Sequence, residues 1–380
     1  MRKLGPLLLA AACSSARPAV VTPEDRRLHD DAVVVDMHSS ITEAMFYESY
    51  DLLAPHSDRA EDLPRMKQGG LDAEVFNVFV HPDSVDLTQF FSTAMKQIDL
   101  LQKTARNSGG RIAFARNAGE VQENAGKGVI SMLIGVGGGH MLLPGTDDEQ
   151  LAHLKAFADR GVRYMTLSWS SSSPIGGSTA QEQQEGLTDF GRKAIPEMER
   201  LGIVPDLSHG SERLFWDVLR LAKKPILLSS SGARALSDHP RNASDRMLEA
   251  IARNGGAVCV DFSRTYLDTK FRRATQSLLQ KTKAMRNSEK VELYRKEELP
   301  DVPLSELIDH IEHIAKVAGY DHVCLGSDFD GAPMMPNGLE DVSKLPAITA
   351  LLRQRGWSDA NIRKVLGENA LRVLQAAEAQ

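Results

Sequence analysis

Three side chains able to ligate a metal stand at the ends of short apolar runs. They are His38 in Asp36-Met37-His38-Ser39-Ser40, His209 in Asp206-Leu207-Ser208-His209, and Asp328 in Gly326-Ser327-Asp328-Phe329-Asp330-Gly331. Two imidazoles and a carboxylate suffice for a catalytic zinc with one open position. Singly, each has a plainer role: a strand-end histidine as a hydrogen-bonded structural residue, an aspartate in a turn as a cap on backbone amides. Two other run ends, Ser168-Trp169-Ser170 and Ser229-Ser230-Ser231, are rich in hydroxyls. No G-x-S-x-G elbow is present, so these serines are not read as nucleophiles.

The elements that would position these groups follow from periodicity. Continuous apolar runs recur at Ala32–Met37, Ala73–Val80, Val129–Val136, Arg163–Ser168, Gly202–Leu207, Pro225–Ser229, Ala257–Phe262 and His322–Ser327. Unbroken runs of this length predict parallel strands buried on both faces. Amphipathic stretches separate them, most clearly at Leu187–Leu201, Glu212–Ala222 and Leu304–Ala318. Ser211 is placed to cap one helix, and Gly161, Gly202 and Gly319 to end others.

Eight strands alternating with helices, with no composition break, predict a single (β/α)8 TIM barrel of the α/β class over residues 25–380. In such a barrel functional groups gather at the C-terminal ends of the strands, where His38, His209 and Asp328 fall. The charged stretch near 268–300 is expected to be a solvated helical excursion after the seventh strand. The run Gly135–Gly139 has the first two glycines of a dinucleotide-binding loop, but the third position is His140, so a flexible loop is expected instead. Cys259 and Cys324 lie inside apolar runs and are expected to be unpaired, buried small hydrophobes.

Residues 1–24 read as an export signal and flexible tether. Met1-Arg2-Lys3 is basic, Leu4–Ala12 is apolar, and Cys13 stands where a lipoprotein is cleaved and lipidated. The expectation is an exported, periplasmic protein held to a membrane by a lipid anchor. Charged residues are 25% and hydrophobic residues 42% of the chain, and the net charge is -6. That balance argues against a nucleic-acid partner.

The stretches Val35–His38, Ile134–His140, Tyr164–Leu167, Gly186-Leu187-Thr188, Asp206–His209, Phe215–Leu219, Ala233–Leu236, His239–Asn242 and Gly326–Gly331 resemble the membrane (renal) dipeptidases, in the same order along the chain. The resemblance implies a TIM barrel that hydrolyses dipeptides with two zinc ions, often as a homodimer. It also assigns positions. Zinc ligands of that family match His38, His209 and Asp328, the last also assisting proton transfer as a candidate catalytic residue. Ser40, Gly137 and Ser230 stand where the family has aspartate, a bridging glutamate and histidine. Trp169 stands where a substrate-contacting histidine is found. Arg241 matches the arginine that receives the substrate carboxylate.

Gly137 has no side chain to share between two ions about 3.5–4 Å apart, and serine is a poor zinc ligand. The expectation is therefore at most one zinc per chain, hydrolysis lost or strongly weakened, and a mouth that binds either a cell-envelope partner or a small carboxylate-bearing, dipeptide-like molecule, the latter through Arg241 and Trp169. The competing expectation is an active dipeptidase with one metal held jointly by His38, His209 and Asp328.

Overall fold

The computed structural model describes residues 20–181, 185–282, 285 and 287–378. The lipidation position Cys13 lies outside them. A helix over Pro23–Asp30 opens the described chain, with Thr22 and Asp25 forming a reciprocal cap.

Among the described residues nine strands follow: β1 (Val35–Ser39), β2 (Ala73–Val78), β3 (Ile112–Phe114), β4 (Ile130–Val136), β5 (Val162–Thr166), β6 (Val204–Asp206), β7 (Leu227–Ser231), β8 (Ala257–Val260) and β9 (Val323–Leu325). All pairings between them are parallel. β1 pairs with both β2 and β9, and β2 also pairs with β4, so eight strands close into a barrel. The eight predicted runs are these eight strands. β3 is the addition: it pairs only with the first residues of β4, on the edge that β5 takes further along. Three residues, two of them only partly buried, are too short for a periodic signal.

The helices obey their predicted caps. Ser211 accepts a hydrogen bond from the Leu214 amide at the start of Glu212–Leu221, and Gly202, at φ 73°, ends Asp189–Leu201 in the left-handed region. Inside the barrel Tyr164 is fully buried, and a Cβ on Gly135 would lie 2.4 Å from its ring. Only glycine lets the tyrosine cross there.

Three expectations are corrected. Cys259 and Cys324 form a disulfide; they are register partners on β8 and β9, and neighbouring-strand proximity is invisible in residues 65 apart in sequence. The stretch near 268–300 forms helices as expected, Thr269–Lys281 and Asn287–Arg295, but it is not wholly solvated, because one face buries Phe271, Leu278 and Tyr294 in the main core. The Gly137–Gly139 run is a tight, buried turn and not a loose loop. Cβ atoms would meet the Asn77 amide at 2.7 Å, the His140 ring at 2.5 Å and the Leu167 carbonyl at 2.6 Å respectively.

Candidate ligand site at the barrel mouth

The predicted residues divide into a central group and its wall. His38 lies in β1, 7% exposed. Its Nδ1 is 2.8 Å from the Tyr164 hydroxyl and 3.3 Å from Ser229 Oγ, and its Nε2 is 3.7 Å from Asp328 Oδ1. Burial holds the imidazole below its ordinary pKa, against the pull of Asp328 and Asp206.

Asp328 follows β9 with φ 54°, a left-handed conformation uncommon outside glycine. Its backbone N–H donates to the His38 carbonyl at 2.9 Å, which ties the ends of β1 and β9 together. The Ser40 hydroxyl donates to its Oδ1 at 3.1 Å. Burial raises the carboxyl's pKa, while His38, Arg241 and Ser40 lower it. A Cβ on Gly331 would fall 2.1 Å from this oxygen, so glycine leaves the carboxylate its place.

His209 also has positive φ, 69°. Its imidazole is driven well below the usual value, first by burial and then by the Arg241 charge. The His38 charge also acts on it, yet among the described residues no three His, Cys, Asp or Glu side chains form a group able to hold a metal ion.

Arg241 is 8% exposed. Its Nη2 is 3.3 Å from Ser230 Oγ and 3.9 Å from Asp261 Oδ2, and its guanidinium lies 5.1 Å above the Tyr266 ring. The arginine thus occupies the neighbourhood of Ser230, and its charge is felt at His38, His209, Asp261 and Asp328. Trp169 packs beside the site, its ring 4.8 Å from Phe79, 5.2 Å from His81 and 6.2 Å from His209. His140 is not at the mouth: its Nε2 meets the Val80 carbonyl at 2.9 Å and its ring packs on Phe79 and Phe90.

Several residues of the site were not singled out from sequence. Asp206 is a hub, accepting from Thr166 Oγ1 (2.6 Å), Ser208 Oγ (2.8 Å) and Ser229 Oγ (2.7 Å), and so fixes the serine bearing on His38. Asp261 directly follows β8, and burial raises its carboxyl well above the usual range. A strand-end aspartate is the signal that marked Asp328, but the predicted run extended over it to Phe262. Asn77, in β2, is 5% exposed and sits beside Gly137; an asparagine inside an apolar strand carries no signal of its own.

The residues present do not fit a two-zinc centre. Ser40 and Ser230 are engaged by Asp328 and Arg241, and the space beside Gly137 holds a carboxamide. The donor set offers a metal one close histidine–aspartate pair.

Solved structures of the same architecture include a metallopeptidase from Rhodobacter sphaeroides liganded with a phosphinate mimic of the dipeptide L-Ala-D-Ala. It is 26% identical, with 92% of this chain and 100% of that one covered and a TM-score of 0.78. Dipeptidase AC, a metallopeptidase, is 27% identical over 92% and 99% of the two chains, with a TM-score of 0.77. The probable dipeptidase PvdM from Pseudomonas aeruginosa, 24% identical over 93% and 97% with a TM-score of 0.80, shares the fold. The family model for membrane dipeptidase (Peptidase family M19) matches residues 23–380, nearly all of the described chain, and the chain belongs to that family.

Proposed function

We propose that this chain is a dipeptidase-family barrel in which two-metal hydrolysis is lost or strongly weakened, and whose mouth binds a small carboxylate-bearing, dipeptide-like molecule. The observation that carries this reading is the donor set: Ser40, Gly137 and Ser230 supply no strong zinc ligand, and the remaining three do not gather. Attack of water on an amide needs its pKa brought from about 15.7 toward about 7. A buried carboxyl such as Asp328, acting alone as a base, contributes typically about 10²–10⁴-fold. That falls far short of peptide hydrolysis.

Binding needs less. Arg241 is positioned by Ser230 and Asp261 through one nitrogen and by Tyr266 beneath its plane, and its Nε and Nη1 are buried without partners. A bound carboxylate is the natural counter-charge for such a guanidinium. The relative solved with a dipeptide mimic supports the ligand class. Trp169 narrows the mouth and offers an indole face to an apolar group of the ligand.

The reading with one zinc held by His38, His209 and Asp328 lacks the convergence it requires. The Cys259–Cys324 disulfide supports export into an oxidising compartment, in keeping with a lipid anchor at Cys13.

The test is zinc per chain, measured before and after zinc loading, with L-Ala-D-Ala hydrolysis followed on the same samples. Substitution of Ser40→Asp, Gly137→Glu, Ser230→His and Trp169→His together provides the comparison. Near-zero tightly bound zinc and no turnover by the native chain are expected. About one zinc with zinc-dependent turnover would sink the reading.

A further inference from the structure

The lost bridging ligand leaves a question of space. Gly137 closes a strand end at which the family carries a glutamate, and an empty pocket there would let that glutamate be restored by substitution alone. The structure shows no such vacancy. β2 and β4 are direct neighbours, with Asn77 opposite Gly135, and the Gly137 amide donates to the Val78 carbonyl at 2.9 Å. That bond pins the Gly137 backbone to β2. A Cβ built on Gly137 would lie 2.7 Å from both Nδ2 and Oδ1 of Asn77, closer than Cβ atoms approach any neighbour.

The asparagine is buried. It is 5% exposed, and its Oδ1 is buried with no hydrogen-bond partner. On the far side of Gly137 the turn is equally tight, with Gly138 against the His140 ring and Gly139 against the Leu167 carbonyl and Ser173. The backbone of residue 137 is held by its bond to Val78, so a side chain added there meets the Asn77 carboxamide directly.

We propose that Asn77 is a specificity-determining residue of this mouth: its carboxamide fills the bridging-ligand position from the neighbouring strand and keeps a metal pair out, independently of the missing ligands. The inference rests on the proposed loss of the two-metal centre and adds a second cause for it. Restoring the ligands would then be insufficient. A glutamate at 137 would be forced off the path toward the mouth by Asn77, and a carboxylate shifted by an ångström no longer spans two ions.

The experiment uses the full-length chain carrying Ser40→Asp, Gly137→Glu, Ser230→His and Trp169→His, with Asn77 kept, changed to Ala, or changed to Ser. Zinc stoichiometry and affinity are measured by titration against a competing chelator, and circular dichroism and melting temperature establish that each variant is folded. The expected result is two zincs per chain with Asn77→Ala or Asn77→Ser. With Asn77 present, the second zinc should bind at least about tenfold more weakly, the scale on which residues behind metal ligands act. Two zincs bound equally well with Asn77 in place would overturn the inference, as would folded Asn77 variants that gain no zinc. The proposed function fails separately, by zinc-dependent turnover in the native chain.

Discussion

Glu74 and Glu61 show what a buried carboxyl costs when nothing positive faces it. Glu74 is in β2, fully buried, and Glu61 lies beside it, hydrogen-bonded to it and held by the Ser39 hydroxyl. Burial raises both carboxyls well above their ordinary pKa, and their mutual repulsion and the nearby Asp36 raise Glu74 further. The folded state therefore holds the Glu74 proton more tightly than the unfolded chain. Its contribution to stability is full below the unfolded value of about 4.3 and is lost as pH rises through the folded value. Glu74→Gln keeps the shape and removes that loss. Its melting temperature should exceed the native chain's above neutral pH by the equivalent of about 1 kcal/mol or more, and the difference should vanish near pH 4. A variant less stable than native at pH 8 would show that a positive charge faces the carboxylate.

Among the elements, the strand ends govern the site because each must pass close to its neighbour. Gly326 follows β9, and a Cβ there would fall 1.8 Å from the Ser229 carbonyl of β7 and 2.9 Å from the Cys259 side chain on β8. Both obstacles belong to packed strands, so neither yields cheaply. Gly326→Ala should cost about 2 kcal/mol or more in denaturant unfolding and should disturb Ser229 and, through it, His38. The helix caps set a contrasting scale: Ser211→Ala removes the bond from the Leu214 amide and the one the hydroxyl donates to the Glu185 carbonyl, and should cost about 1–2 kcal/mol. If the two substitutions proved equally mild, the tight crossing of β9 over β7 would not be a constraint.

For the molecule as a whole, the disulfide bears on where the protein can work. Cys259 and Cys324 are fully buried and join β8 to β9 across 65 residues, a segment that includes both helices of the 268–300 stretch. Loop closure on that scale is worth about 4 kcal/mol in the chain-entropy account. The paired substitution Cys259→Ala and Cys324→Ala should lower unfolding free energy by about 2–4 kcal/mol, and the native chain should lose the same amount when unfolded and refolded under reductant. Indifference to reductant would remove the support that the bridge lends to export.

Barrel, family and most of the strand-end residues were legible in the sequence because their signals are local. A strand buried on both faces reads as an unbroken apolar run wherever it ends up, and a cap needs only its own helix. The polar residues that end those runs, His38, His209 and Asp328, were legible for the same reason. What only the tertiary structure decided is proximity between strands. The pairing of Cys259 with Cys324, the Asn77 amide beside Gly137, and the Arg241 guanidinium reaching Ser230 and Asp261 all depend on closure of the barrel. Closure brings together residues tens to hundreds of positions apart, and no local periodicity encodes which of them will touch.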